Sequence, residues 1–285
     1  MMNFATLLET HTNSNNHSVH HIIYELAAYS LNKFLMIQPS RLSRTSNQAF
    51  SLVAAHSKNM WPGDLIAESM NLADALDFLH NRIFTNRSLS IVHNNLTPHN
   101  ILVIYPDNPD AGNRYPVGQW KLADFGFSTI RPKRKLDDRI SSKGMIPDKD
   151  GDELGTEREG IVSANEHTRT REPGRYTPPE LGQAARQEWD GISADLWSFG
   201  CVFSEILSYA IRLDPGKVED LRHAILGPDH RFYDPISLDV KSEFHFYLDG
   251  LPKLWRGGDK MVASWVSSCV ELINAIVVAD PQKRL

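Results

Sequence analysis

The stretch VHNNLTPHNIL, residues 92–102, decides the reading of this chain. Its apolar positions, Val92, Leu96, Pro98, Ile101 and Leu102, frame a run of short polar side chains. The flanking segments 89–93 and 100–105 are β-like, so the polar residues fall in a loop between two extended runs. Asn100 offers that loop a neutral carbonyl oxygen. Downstream, residues 120–123 read as another strand, ending at the hard carboxylate of Asp124. Taken alone, Asn100 reads as a turn residue capping its own loop and Asp124 as a solvated acid at a strand end.

Working outward, residues 4–10 and 20–25 are short, apolar and bounded by turn residues, and predict two strands joined by a hairpin loop. Residues 31–36 suggest a turn or two of helix, and 38–48 a polar connector. From 63 to 82 the positions Leu65, Ile66, Met70, Leu72, Ala73, Leu76, Phe78 and Leu79 recur at helical spacing. Residues 106–118 carry every breaker signal of a loop. Residues 131–172 are dense in charges of both signs and nearly free of bulky apolar side chains. Such a stretch cannot offset its ordering entropy, and the expectation is disorder. Two strongly apolar segments follow, 193–211 and 260–279, and predict helices, the first of them central and buried.

The composition bounds the function. Hydrophobic residues make up 41% of the 285 and charged residues 23%, which suits a globular protein with a sizeable core. A net charge of −5 argues against a general nucleic-acid binder, whose affinity comes from neutralising phosphates. The two cysteines, Cys201 and Cys269, sit in apolar stretches and read as buried thiols rather than a disulfide framework. No apolar run approaches the roughly 20 residues a membrane span requires. With no secretory signal visible at the start of the chain, these features predict an intracellular protein, cytoplasmic or nuclear.

Five short motifs then occur in a fixed order. Residues 92–102 resemble the catalytic loop of eukaryotic protein kinases, H-R-D-L-K-P-x-N-I-L, and Asp124-Phe125-Gly126 resembles their D-F-G motif. Tyr176-Thr177-Pro178-Pro179-Glu180 is similar to the A-P-E motif that closes the activation segment, with Pro178 in place of Ala. Residues 193–200 match D-x-W-S-x-G of the large lobe's central helix, and 280–284 match D-P-x-x-R. One such tripeptide would mean little; five in order mark a family resemblance covering most of the chain. It implies an α+β, protein-kinase-like fold, with a remnant small-lobe hairpin and hinge at 1–27 and a mostly helical large lobe at 28–285. Residues 131–172 become a long activation-segment insert.

The resemblance also implies site residues. Asp124 and Asn100 would hold Mg²⁺ against the phosphates of ATP. Tyr24 would be the gatekeeper, the backbone of Glu25 and Ala27 would face adenine, and Leu102 would floor the pocket. Tyr24 and Leu102 read equally well as plain core residues. Glu180 and Arg284 would form a buried ion pair, Asp195 would bind the catalytic-loop backbone, and His93 would stack on Phe125.

The departures are as telling. Asn95 stands at the position of the catalytic base, where an amide cannot accept the substrate proton. Thr97 replaces the Lys that steadies the transferred phosphoryl, and Asn94 the Arg that grips a phosphorylated activation loop. Neither a Gly-rich loop nor a V-A-I-K strand precedes Phe4, so the small lobe is expected to be truncated. Three readings stay open: a degenerate kinase (pseudokinase) acting as a scaffold or interaction domain for a protein partner, with residual ATP and Mg²⁺ binding; a working Ser/Thr protein kinase; and a truncated fragment without a stable fold.

Overall fold

The computed structural model describes residues 6–12, 18–23, 25–37, 60–84, 89–105, 115–132, 174–183, 190–225, 230–255 and 260–285. Strands β1 (Thr6–Thr12) and β2 (Ser18–Ile23) pair antiparallel, from Thr6 opposite Ile23 to Thr12 opposite Ser18, with an irregularity between Leu7 and Glu9. The hairpin is longer at its tip than the apolar pattern predicts. His11, Thr12, Ser18 and Val19 join the ladder because backbone pairing needs register more than apolar side chains, and β-branched Thr and Val suit extended backbone. Tyr24 lies outside the described residues.

The next sheet has the order β3 (Tyr29–Ser30), β5 (Ile101–Ile104), β6 (Gln119–Leu122), all antiparallel. Gly118 enters β6 at φ +73°, and a Cβ there would stand 2.7 Å from Val103 Cγ1, so glycine alone fits this bend. Strand β4 (Leu89–Val92) pairs with β7 (Thr129–Pro132), Val92 opposite Thr129. This corrects one expectation. Arg131 and Pro132, the first residues of the stretch read as disordered, belong to β7. Their order comes from a partner strand some forty positions earlier in the chain, opposite Ser90 and Leu89, which local composition does not register. The rest of that stretch, and the connector 38–48, lie outside the described residues.

Helices α1 (Leu31–Leu35), α2 (Pro62–Asp77), α3 (Pro179–Gln183), α4 (Gly191–Ala210), α5 (Pro215–Ile225), α6 (Ser242–Leu254) and α7 (Lys260–Ile276) make up most of the remainder. Helix α2 starts with Pro62 in its first turn, and the Asp64 carboxylate accepts the Trp61 N–H at 2.7 Å. It runs on into a π-helical turn, Phe78–Arg82. Leu65, Leu72, Leu76 and Leu79 turn inward, but Met70, counted with them by periodicity, is 69% exposed on the outer face. Helix α4 is apolar nearly all round and buried along almost its whole length, as a central helix must be. Asp190 caps its start by accepting the Ile192 N–H. Helices α2, α5 and α7 pack on it, with Trp197, Ile206 and Leu207 at the centre of the core. Cys201 lies in that core, whereas Cys269 is only partly buried. Helices α5 and α6 carry too few or too scattered apolar residues to declare themselves locally, although Phe244, Leu248 and Leu251 mark the inner face of α6.

Candidate functional site

The site is assembled from below by one buried acid. Asp195, in the first turns of α4, accepts the backbone N–H of His93 on Oδ2 at 2.7 Å and that of Asn94 on Oδ1 at 2.8 Å. His80, from the π-helical turn, brings Nε2 to 2.9 Å from the same Oδ2. A buried carboxylate with three such partners is satisfied, and it fixes where the loop after β4 begins. Asn94 then turns at φ +62°, a conformation asparagine tolerates. Its Nδ2 donates to Phe127 O at 2.8 Å and to Thr129 Oγ1 at 3.0 Å, binding the segment entering β7 to the loop.

The His93 ring is wholly buried. Its Nε2 lies 3.0 Å from Ala123 O, and its Nδ1 accepts the Asn95 N–H at 3.3 Å. The first contact makes Nε2 the protonated nitrogen and the second leaves Nδ1 bare, so both nitrogens of the neutral ring are used. Burial pulls the His93 pKa below its ordinary value, against the attraction of Asp195. His93 and Phe125 do meet, with ring centroids 4.9 Å apart. They are tilted at 57° rather than stacked, and Phe125 is 44% exposed.

Three sequence-predicted residues come together here. Asp124 takes φ +60°, and its Oδ2 accepts from Asn95 Nδ2 at 3.1 Å while Oδ1 faces the Gly126 N–H at 3.4 Å. Asn100 donates Nδ2 to the backbone oxygen of Asn95 at 2.8 Å. The main chain repeats the link, with Ala123 N–H donating to Asn100 O at 2.9 Å and Asn100 N–H to Thr97 O at 3.0 Å. Thr97 precedes the short 3₁₀ turn Pro98–Asn100 in extended conformation. Among the described residues no three His, Cys, Asp or Glu side chains cluster as a metal cage. Mg²⁺ needs none where phosphates complete its shell; one carboxylate and one amide oxygen, as in Asp124 and Asn100, are a fitting hard-oxygen set.

The expected pocket residues lie along the same sheet. Glu25 accepts from Lys121 Nζ at 2.5 Å, and Lys121 is opposite Leu102 in the β5–β6 ladder. Ala27 is followed by Ala28, whose N–H donates to Val103 O at 2.9 Å, so residues 28–30 run beside β5. Leu102 is half-buried between fully buried neighbours.

Two further elements frame the site. Arg284 makes a two-pronged contact with Glu180, 2.6 Å from Nη1 and 2.8 Å from Nη2, with its side chain fully buried. A second buried acid went unread in the sequence. Glu205 of α4 accepts from Arg222 Nε at 3.0 Å and Nη2 at 2.8 Å, and from the Tyr176 hydroxyl at 2.9 Å. Arg222 also donates to Asn32, tying α1 to α5. The signal was a second carboxylate, beside Asp195, in an otherwise apolar helix, since buried charges require partners. His80 gave none, as one histidine near a helix end has many possible roles.

No family model matches the chain. It is similar to extracellular signal-regulated kinase 7 of Drosophila melanogaster, 23% identical over 228 residues, which are 75% of this chain and 19% of that protein. It is 26% identical over 182 residues to CBL-interacting protein kinase 11 of Oryza sativa subsp. japonica, covering 64% of this chain and 27% of the relative. Mitogen-activated protein kinase hog-1 of Neurospora crassa is 27% identical over 205 residues, 70% of this chain and 43% of the relative. The chain thus spans less than half the length of the curated relatives it matches. The loop pinned by Asp195 thus lies within a chain that is similar to fly, rice and fungal protein kinases over most of its own length, a likeness that supports a protein-kinase-like domain.

Proposed function

We propose that this domain is a degenerate kinase, impaired in phosphoryl transfer, that serves as a scaffold or interaction domain for a protein partner and retains weak binding of ATP with Mg²⁺. The observation that carries the reading is the contact between Asn95 and Asp124. A carboxylate only accepts hydrogen bonds, so the Asn95 amide presents its NH₂ there. The position at which the kinase family keeps a proton acceptor therefore holds a donor and an uncharged carbonyl. General-base help of about 10²–10⁴ in rate is missing. Thr97 and Asn94 bring no positive charge to the loop either, whereas transfer of a phosphoryl group depends on neutralising its charge. On this reading β1 and β2 belong to a small lobe, residues 28–285 are the large lobe, and Glu25, Ala27 and Leu102 line an adenine site.

The retained neighbours Asp124 and Asn100 favour a second reading, an active ATP-dependent kinase of protein Ser/Thr, because loose transition states lean little on a base. Incubation of the purified chain with labelled ATP, Mg²⁺ and Ser/Thr peptides separates the two. The degenerate reading expects no transfer above background in wild type. Transfer that disappears in Asp124→Ala would establish the second reading instead. Binding is checked by thermal unfolding with ATP and Mg²⁺, where a hundredfold excess over Kd adds about 2.7 kcal/mol.

A further inference from the structure

Asn95 does more in this geometry than replace a base. Its side chain is buried, at 7% exposure for the residue, and its amide meets the Asp124 carboxylate, which is fitted to hold a cation. We propose that Asn95 is a clamp on Asp124 that competes with divalent cations and keeps this site poor in Mg²⁺. The inference deepens the degenerate-kinase reading and rests on it for the identity of the cation, but its geometry stands without any nucleotide.

The loop is built to keep the clamp in place. The Asn95 N–H is bonded to His93 Nδ1, and its carbonyl accepts from Asn100. Residue 95 is thus held from both sides of its backbone, and the loop itself is anchored to Asp195. Asp124 is held to the same side by its positive φ and by the Gly126 N–H on Oδ1. A hard cation approaching Oδ2 meets an N–H that carries partial positive charge and already fills one of that oxygen's two lone-pair sites, so the two repel and compete for it. The displaced amide would then be left without its charged partner in a buried position, which opposes the exchange. Asn100 is drawn into the same arrangement, since its Nδ2 is engaged on the Asn95 backbone and only its carbonyl oxygen remains for a ligand.

Mn²⁺ alone, titrated into the full chain and followed by the loss of the free-ion electron paramagnetic resonance signal, tests the clamp. The Asn95→Ala variant should bind Mn²⁺ about tenfold or more tightly than wild type, the range set by removing one charge-assisted hydrogen bond. The gain should vanish in Asn95→Ala/Asp124→Asn. Asn95→Leu, which keeps the volume and loses the donor, should behave as Asn95→Ala does and serves if the smaller side chain does not fold. Equal affinities in wild type and the variants, whether tight or undetectable, overturn the proposal, as does a gain that survives loss of the Asp124 charge. Phosphate transfer by wild type would overturn the proposed function and leave this comparison standing, because no nucleotide enters it.

Discussion

Arg284 and Glu180 meet across 104 residues of sequence through two near-parallel hydrogen bonds, with the arginine side chain wholly buried. The guanidinium also donates to the carbonyls of Val278, Ala279 and Ser193, and lies 5.0 Å from the Trp197 ring centroid. It therefore joins α3, the start of α4 and the chain after α7 at one point. Truncation to Arg284→Ala strands a carboxylate and several carbonyls, and should cost about 3–5 kcal/mol. Arg284→Lys should recover only part of this, as an ammonium cannot reproduce the fork. Urea unfolding of the three proteins measures both.

Stability should fall on mild acidification, partly through His93. Burial lowers the pKa of His93 in the folded chain, so below the unfolded value of about 6.5 the unfolded chain binds more protons at this residue. Stability then rises with pH in that window, is complete above it, and is lost as pH falls towards the folded pKa. Subtracting the unfolding free energies of His93→Gln from those of wild type between pH 7.5 and 5 isolates the effect from the other histidines. A flat difference would contradict it.

The amide of Asn94 should be what keeps β7 on the loop. Asn94→Gly keeps the φ +62° backbone available and removes only the bonds to Phe127 O and Thr129 Oγ1. A loss of about 1–2 kcal/mol is expected, with faster amide exchange confined to the β4–β7 ladder. Unchanged exchange there would show the side-chain bonds to be idle.

Gly200 sets how closely α4 approaches the end of α7. A Cβ at this position would stand 2.6 Å from Val277 Cγ2 and 2.8 Å from Ile276 Cγ2. Gly200→Ala gains about 1 kcal/mol of helix propensity but forces branched, buried side chains apart at about 1–3 kcal/mol. The net effect should be destabilising. Gly200→Ala/Val277→Ala should lose less than the sum of the two single variants, because the smaller side chain makes room.

Much of this architecture was legible in the residues themselves. The helical period of Leu65, Leu72 and Leu76, and the apolar run through Trp197 and Ile206, each reveal a helix because the inward face repeats locally. The ordered motifs likewise placed Asp195 under the loop and Glu180 against Arg284, since both pairings follow from residue types at the positions that carry the resemblance. What local sequence determined is therefore the identity of the frame and the uncharged side chains at Asn94, Asn95 and Thr97.

Contacts between distant segments decided the remainder. Strand β7 exists because β4 lies beside it, not because Arg131 and Pro132 favour extension. Met70 has the right period and the wrong face, since periodicity gives a stripe but not its edges. Phe125 tilts against His93 and stays half open. The sequence shows that Asn95 cannot take a proton. Only the folded chain brings its amide within 3.1 Å of Asp124, because hydrogen-bond direction depends on where two loops from different strands come to rest.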